Sequence, residues 1–127
     1  MYNQMETEMR GAEMPEVKSR PKQLDGKTFK MATGCGSIYI TMNFNEGKPF
    51  EVFAKLGKSG GCSACHTEAL TRAISIGLRA GVPLEEYYDH MKDIQCNNPT
   101  VSEGENIKSC PDAIAKVMKQ FIKEVEK

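Results

Sequence analysis

Apolar and polar residues alternate in three successive segments of the chain between positions 29 and 54. The alternating apolar residues are Phe29 and Met31, then Ile38, Ile40 and Met42, then Phe50, Val52 and Ala54. A period of two is typical of half-buried β-strands. Short segments that contain glycine, at 34–36 and 45–48, separate the three. We therefore predict an antiparallel meander of three strands.

The period changes to that of a helix further along the chain. Apolar and small residues recur at i, i+3, i+4, i+7 and i+8 across residues 70–78. This spacing predicts a helix from about Cys62 or Ser63 to Ala80. Gly81 is a suitable residue to end it.

Two more helices are predicted. Pro83 suits the first turn of the second helix, which should end before Cys96. Ser109 or Cys110 caps the third helix, and Asp112 lies at its positive end. The stripe of the third helix comprises Ile114, Val117, Met118, Phe121, Ile122 and Val125. The pattern indicates an α+β fold, in which a three-stranded antiparallel meander packs against three helices.

Two stretches lack such a pattern. Residues 1–26 have few branched or aromatic residues to bury, and we predict a flexible N-terminal arm before a domain at 27–127. Residues 96–109 show no clear periodicity. We expect a loop there that something else must hold in place.

The composition of the chain argues against several classes of function. A chain of 127 residues suits one domain, and its 17 basic and 17 acidic residues give no net charge. This balance argues against general nucleic-acid binding and against binding to an anionic membrane. No apolar run approaches the roughly 20 residues that cross a bilayer, and the start of the chain does not resemble a secretory signal. We expect a soluble cytoplasmic protein.

The five cysteines carry the main candidate chemistry. Cys35 lies in a glycine turn, Cys62 and Cys110 lie at helix starts, and Cys96 lies at a helix end. The ends of helices and strands can meet at one point, whereas side chains inside an apolar stripe pack in the core. These four thiolates are therefore candidate ligands of a tetrahedral metal such as zinc. Such a metal would fasten the 96–109 segment to the sheet. Redox-active thiols and plain reduced cysteines are the alternatives.

Cys62 and Cys65 have the spacing of a metal-ligand pair and also that of a dithiol exchange motif. A helix N-terminus favours the thiolate form, which supports reactivity at Cys62. However, a thioredoxin-like motif follows a strand in an alternating pattern of strands and helices. A meander followed by helices does not match that pattern.

A second candidate site is the segment Lys58, Ser59, Gly60 and Gly61 before the first helix. Small residues let backbone N–H groups face an anion, and the lysine adds a positive charge. The segment therefore predicts a phosphate or nucleotide site, although its residue order is not that of a Walker A loop. A glycine-rich turn without a ligand is the alternative.

Several separated motifs together resemble one known family. These are KMATGCGSIYI at 30–40, FEVF at 50–53, LGKSGGC at 56–62, EALTR at 68–72 and SCPDAIA at 109–115. They resemble the TSCPD domain, which is named for its Thr-Ser-Cys-Pro-Asp motif. Here Lys108 replaces the threonine. The resemblance covers about residues 27–125.

That family is best known as a C-terminal module of adenosylcobalamin-dependent (class II) ribonucleotide reductases, and it also occurs as small stand-alone proteins, which this chain resembles. The resemblance maps Cys35, Cys62, Cys96 and Cys110 onto the recurrent cysteines of the family. Cys65 falls where the reductase copies usually have a small residue. The resemblance therefore favours the first four as one set, without Cys65, and we expect this set to hold a structural zinc.

The expected function is a non-catalytic accessory or regulatory module related to that reductase. A chain of this length has no room for the reductase barrel. The expected partner is a ribonucleotide reductase or another protein of nucleotide metabolism, and self-association is left open. One alternative is a protein that sequesters a nucleotide or nucleotide signal. A second alternative is a thiol redox partner of a reductase.

Overall fold

The computed structural model describes residues 16–57 and 62–126, and the side chains to residue 122. The elements in chain order are β1 Asp25–Thr33, β2 Gly36–Asn45, β3 Lys48–Leu56, α1 Cys62–Arg79, α2 Leu84–Met91, β4 Thr100–Ser102, β5 Glu105–Ile107 and α3 Cys110–Glu126. The order β1-β2-β3 is antiparallel throughout. The predicted α+β fold, with its three-stranded meander and three helices, is confirmed.

One face of this sheet forms the floor of the core. Its strand register aligns apolar residues across all three strands, such as Phe29 with Ile40 and Ile40 with Ala54. Ile38, Ile40, Met42 and Val52 are fully buried. The alternation in the sequence places these side chains on one face because successive residues of a strand point to opposite sides.

Helix α3 closes the core and is buried on most of its circumference. Its fully buried residues are Ala113, Ile114, Ala115, Val117 and Met118. The Phe121 ring meets Phe29 edge-on at 5.4 Å and Phe44 at 5.0 Å between ring centroids. These contacts fix the helix against β1 and β2, and so fix the position of its first residue.

Helix α1 packs along β3, one of the two edge strands of this sheet. The Ser75 hydroxyl donates to the Val52 carbonyl at 2.9 Å and accepts from the Val52 N–H at 3.0 Å. These two bonds satisfy backbone groups that an edge strand otherwise leaves unpaired. The buried residues of α1 include the polar Thr67, Thr71 and Ser75, which do not contribute to the apolar pattern of the sequence.

Helix α1 ends as predicted near Gly81, which has a φ of 101°. The Val82 N–H bonds back to the Gly77 carbonyl at 2.9 Å, a bond characteristic of glycine-terminated helices. Gly77 also allows a close approach of α2, because a Cβ there would lie 1.6 Å from the Tyr87 hydroxyl oxygen. Helix α2 ends at Met91, before Cys96 as expected.

The 96–109 segment is more regular than the loop we expected. Strands β4 and β5 pair as a short antiparallel hairpin, with Val101 opposite Asn106. Glu103 and Gly104 form its turn, and both have positive φ. Strands of three residues are too short to show a period in the sequence, so the sequence pattern does not predict this hairpin.

Residues 1–15 of the predicted arm lie outside the described residues. Residues 16–24 have no helix or strand but do contact the domain. Lys18 and Arg79 exchange two bonds, and Arg20 Nε lies 2.9 Å from a carboxylate oxygen of the buried Glu51. No helix in the described ranges is long and apolar enough to cross a bilayer.

Candidate functional site

Cys35 lies in the turn between β1 and β2. The buried Thr33 shapes this turn, because its hydroxyl donates to the Gly36 carbonyl at 2.7 Å and accepts from the Cys35 N–H at 3.2 Å. Gly36 has a φ of 122°, which favours glycine. The turn therefore holds the Cys35 thiol in a defined position at one end of the sheet.

Cys110 is the first residue of α3 and is buried. Its sulfur lies 3.9 Å from Thr33 Oγ1, so it meets the same turn. Burial raises the pKa of the Cys110 thiol, the bond with Thr33 lowers it, and interactions with the Cys35 and Cys96 thiols raise it. The Cys35 and Cys96 thiols are therefore near enough to the Cys110 thiol to disfavour its ionisation.

Cys96 approaches the same place from the segment after α2. Its N–H donates to the Lys108 carbonyl at 3.0 Å, which joins the two ends of the 96–108 segment. Its sulfur accepts the Asn98 N–H at 3.3 Å. Cys96 is exposed and close enough to Cys110 to influence its ionisation.

Cys62 is the first residue of α1 and is exposed. Its neighbour Ser63 donates from its hydroxyl to the Cys35 sulfur at 3.7 Å. The start of α1 therefore adjoins the Cys35 turn. The structure thus places Cys110 against the turn that carries Cys35, places Cys96 near Cys110, and brings the helix that begins with Cys62 against Cys35.

Cys65 lies one turn further along α1 and is exposed. Its thiol donates to the Cys62 carbonyl at 3.3 Å, a local bond within the helix. This contact involves the backbone of Cys62 and not its sulfur. Whether the pair carries out redox chemistry stays a prediction.

The buried carboxylate of Asp112 holds together the segments that carry Cys96 and Cys110. Asp112 is fully buried and accepts the Asp93 N–H at 2.8 Å, the Lys108 N–H at 3.0 Å and the Lys116 ammonium at 2.7 Å. Burial acts to raise the pKa of Asp112, but these donors outweigh it and hold the pKa below its usual value. Asp112 therefore joins the end of α2, the end of β5 and the start of α3.

Ser109 adds a second link between the same elements. Its hydroxyl donates to the Ile94 carbonyl at 2.6 Å and accepts the Asp112 N–H at 3.1 Å, so Ser109 is the N-cap of α3. Together Ser109 and Asp112 position both ends of the 96–108 segment against Cys110. Sequence reasoning assigned these two residues only to helix capping, because their partners are distant along the chain.

The thiols of the cluster suit a thiophilic metal such as zinc, whose structural sites commonly use four cysteines. Across 16–57 and 62–126, no group of three or more His, Cys, Asp or Glu side chains is arranged to hold a metal ion. The ligand set Cys35, Cys62, Cys96 and Cys110 therefore stays a prediction. The predicted phosphate site at Lys58, Ser59, Gly60 and Gly61 lies outside the described residues and also stays a prediction.

The fold and this cluster define a small α+β domain with cysteines gathered at one end of a three-stranded sheet. The sequence model of the TSCPD domain matches residues 10–122, and the chain belongs to that family. In the Ser-Cys-Pro-Asp motif of this chain, Ser109 is the N-cap of α3, Cys110 supplies the buried thiol, and Asp112 supplies the buried carboxylate.

The chain is also similar to several proteins named vitamin B12-dependent ribonucleotide reductase. The protein from Streptomyces clavuligerus is 26% identical over 108 residues, which are 84% of this chain and 11% of that protein. The protein from Agrobacterium fabrum is 35% identical over 75 residues, which are 58% of this chain and 6% of that protein. The one from Bradyrhizobium diazoefficiens is 32% identical over 77 residues, 60% of this chain and 6% of the relative.

The chain therefore spans only about a tenth or less of the length of these curated relatives. It is related to one region of a B12-dependent ribonucleotide reductase. No solved structure shows a significant match to it.

Proposed function

We propose that this protein is a non-catalytic accessory or regulatory module of B12-dependent ribonucleotide reduction, with a structural metal held by Cys35, Cys62, Cys96 and Cys110. The observation that carries the proposal is the convergence of element ends on the β1–β2 turn, where the Cys110 sulfur lies 3.9 Å from Thr33 Oγ1 and the Ser63 hydroxyl lies 3.7 Å from the Cys35 sulfur. The four cysteines come from a β-turn, a loop and two helix starts, which are distant in the sequence.

A metal would have a clear structural role at this place. Cys96 and Cys110 are near the two ends of the 96–108 segment, which contains only a short hairpin. Because the metal would bind the folded chain and not the unfolded one, its binding free energy would add to the stability of the fold and tie this segment to the core. When bound, zinc supplies this link and no redox chemistry.

The high pKa of the Cys110 thiol has a consequence for metal binding. A thiol must lose its proton to become a ligand, so binding releases protons and becomes tighter as the pH rises. Burial raises the Cys110 pKa, so this dependence continues to a higher pH than it would for an exposed thiol. We therefore expect metal affinity to rise between pH 6 and pH 8.

The reductase connection is supported by the printed names of the relatives and by the family match. Because the chain covers so little of those proteins, we propose association with a reductase and no reductase catalysis by this chain. The partner would be the reductase itself or another enzyme of nucleotide metabolism.

A chelator experiment tests the metal. The protein is purified under anaerobic conditions, and its thermal unfolding is followed with and without a high-affinity zinc chelator. A structural metal predicts that the chelator lowers the melting temperature by roughly 5–10 °C. The chelator should have little effect on Cys96→Ser, which already lacks one ligand, and its full effect on Cys65→Ser. An unchanged melting temperature in the unmodified protein would contradict the metal.

A binding experiment tests the partner. A B12-dependent reductase shortened to lack its own matching region is mixed with this chain and analysed by size-exclusion chromatography. Co-elution, and an altered turnover of the shortened enzyme, would support an accessory role. Independent elution together with unchanged turnover would contradict it.

A further inference from the structure

The three-stranded sheet has a second face, and the part of the structure that is described leaves it largely uncovered. Residues of this face alternate with the core residues along each strand. Its exposed or half-exposed members are Thr28, Lys30, Tyr39, Thr41, Phe53 and Lys55. Polar side chains are expected on the outer face of such a sheet, and here two large aromatic rings lie side by side among them.

A groove runs between this face and helix α1. Tyr39, Phe53 and Lys55 line its sheet side, and Cys65 and Arg72 line its helix side. Its volume of about 920 Å³ falls in the range of about 300–1,000 Å³ that is typical of small-molecule sites. The groove is therefore large enough for a ligand of several hundred daltons.

The two aromatic rings are available to a ligand in this groove. The side chains of Tyr39 and Phe53 are 39% and 45% exposed. Tyr39 pairs with Lys55 and Thr41 with Phe53, so the two rings are diagonal neighbours on adjacent strands. One edge of the Tyr39 ring packs on Gly57, where a Cβ would come within 3.2 Å of Cε2. This contact orients the ring on the sheet.

The charge of the face is positive. Lys30 and Lys55 flank Tyr39 in the strand register, and Lys30 Nζ lies 5.8 Å from the ring centroid. Neither lysine has an ion-pair partner among the described residues, whereas the nearby carboxylates Glu51 and Glu68 are each paired with an arginine. The Lys55 ammonium therefore remains free to bind an anion in the groove, and the Lys30 ammonium, which lies over the Tyr39 ring, adds positive charge beside it.

We propose that this groove binds a nucleoside phosphate, with the base stacked on Tyr39 or Phe53 and the phosphates paired with Lys55 in the groove and with Lys30 beside it. A planar uncharged ligand would not use the lysines, and inorganic phosphate would not use the rings. A nucleoside phosphate uses both, and stacking on aromatic rings is a general way to bind bases. The groove contains none of the four predicted metal ligands, so this proposal does not depend on the metal.

Titration calorimetry tests the ligand class with ADP, adenosine and inorganic pyrophosphate as probes. ADP should bind saturably, and at least tenfold more tightly than adenosine or pyrophosphate alone. Binding should weaken as salt is added, because two lysines contribute to it. ADP should also slow the alkylation of Cys65, whose exposed thiol lies in the groove wall.

Matched variants locate the site. Tyr39→Leu and Phe53→Leu keep apolar bulk and remove one ring each. Loss of the ring on which the base stacks should lower the affinity for ADP roughly tenfold. Tyr39→Phe should retain ADP binding. Lys55→Gln should weaken the binding of ADP more than the binding of adenosine. Tyr88→Leu and Lys92→Gln are the controls, because they alter a similar pair at the C-terminal end of α2, with Lys92 Nζ 5.3 Å from the Tyr88 ring centroid, outside the groove.

Three outcomes would overturn the proposal. The first is no saturable binding of ADP or of the other common nucleoside phosphates. The second is binding that neither leucine variant of the groove affects. The third is an oligonucleotide that binds far more tightly than any mononucleotide, which would indicate a single-strand platform instead. Zinc content should not change in any groove variant, so failure here leaves the metal proposal intact.

Discussion

Replacing Asp112 with asparagine tests how the Ser-Cys-Pro-Asp motif organises the site. The carboxylate is fully buried and accepts three hydrogen bonds, one of them from the Lys116 ammonium at 2.7 Å. An amide has a single oxygen, so its NH₂ group must face at least one of these donors. The substitution also removes the charge that pairs with Lys116.

The expected cost follows from the contacts that are lost. A hydrogen bond to a charged group contributes about 1.5–3 kcal/mol, and leaving one buried donor without a partner costs about 1–3 kcal/mol. Because the two effects overlap, we expect Asp112→Asn to lower the free energy of unfolding by about 2–4 kcal/mol. Urea unfolding at pH 7, followed by circular dichroism, measures this difference.

Asp89→Asn is the matched control for Asp112→Asn. Asp89 is 64% exposed and lies 3.9 Å from the Lys92 ammonium, so its removal should cost less than about 0.5 kcal/mol. If Asp112→Asn were no more destabilising than Asp89→Asn, the three hydrogen bonds would not hold these elements together. The account of the motif would then be wrong.

The pH dependence provides a second test of the same carboxylate. The pKa of Asp112 is lowered in the folded protein from a usual value of 3.8. Its contribution to stability is therefore fully present above that value and is lost as the pH falls through the lower folded pKa. The stability difference between the unmodified protein and Asp112→Asn should thus narrow below about pH 3.8 and stay constant between pH 6 and pH 8.

Three further changes test separate features of the account. Gly77→Ala should destabilise the protein by about 1–3 kcal/mol, because the new Cβ meets the Tyr87 hydroxyl, and adding Tyr87→Phe should recover part of that loss in urea unfolding. Ser75→Ala should cost about 1–3 kcal/mol because it leaves the Val52 N–H buried without its partner; a loss below about 0.5 kcal/mol would refute that role. Lys58→Ala should weaken binding of inorganic phosphate if the 58–61 segment is an anion site, and unchanged calorimetric titration would remove that prediction.

The sheet and the helices follow from periodicity, which reports burial. Strand β2 alternates cleanly because Ile38, Ile40 and Met42 face the core and their neighbours do not. Helix α3 has enough apolar residues to predict its stripe, and Ser109 to predict its start. These features are local, so a single sequence contains them.

The rest depends on contacts between residues that are distant in the chain. Ser75 is buried because it satisfies the edge of β3, and nothing near it in the sequence indicates that partner. Asp112 resembles an ordinary helix-start acid until Asp93 and Lys108 are placed beside it. The hairpin of β4 and β5 has strands of three residues, which leave no period to detect.

The candidate site shows the same division. The position of each cysteine at an element end could be predicted, because the boundaries of the elements follow from local patterns. The role of Thr33 could not, since its hydroxyl bridges the Cys35 turn and the Cys110 thiol only after α3 has packed on the sheet. The groove beside Tyr39 likewise arises from the placement of α1 along β3.

Metal stoichiometry tests the central claim most directly. Plasma mass spectrometry of anaerobically purified protein should find about one zinc per chain in the unmodified protein and in Cys65→Ser. Cys96→Ser should contain far less, and it is suited to this test because Cys96 is exposed and its loss leaves the core intact. Far less than one zinc or iron per chain in the unmodified protein, or an equal content in Cys96→Ser, would contradict the account.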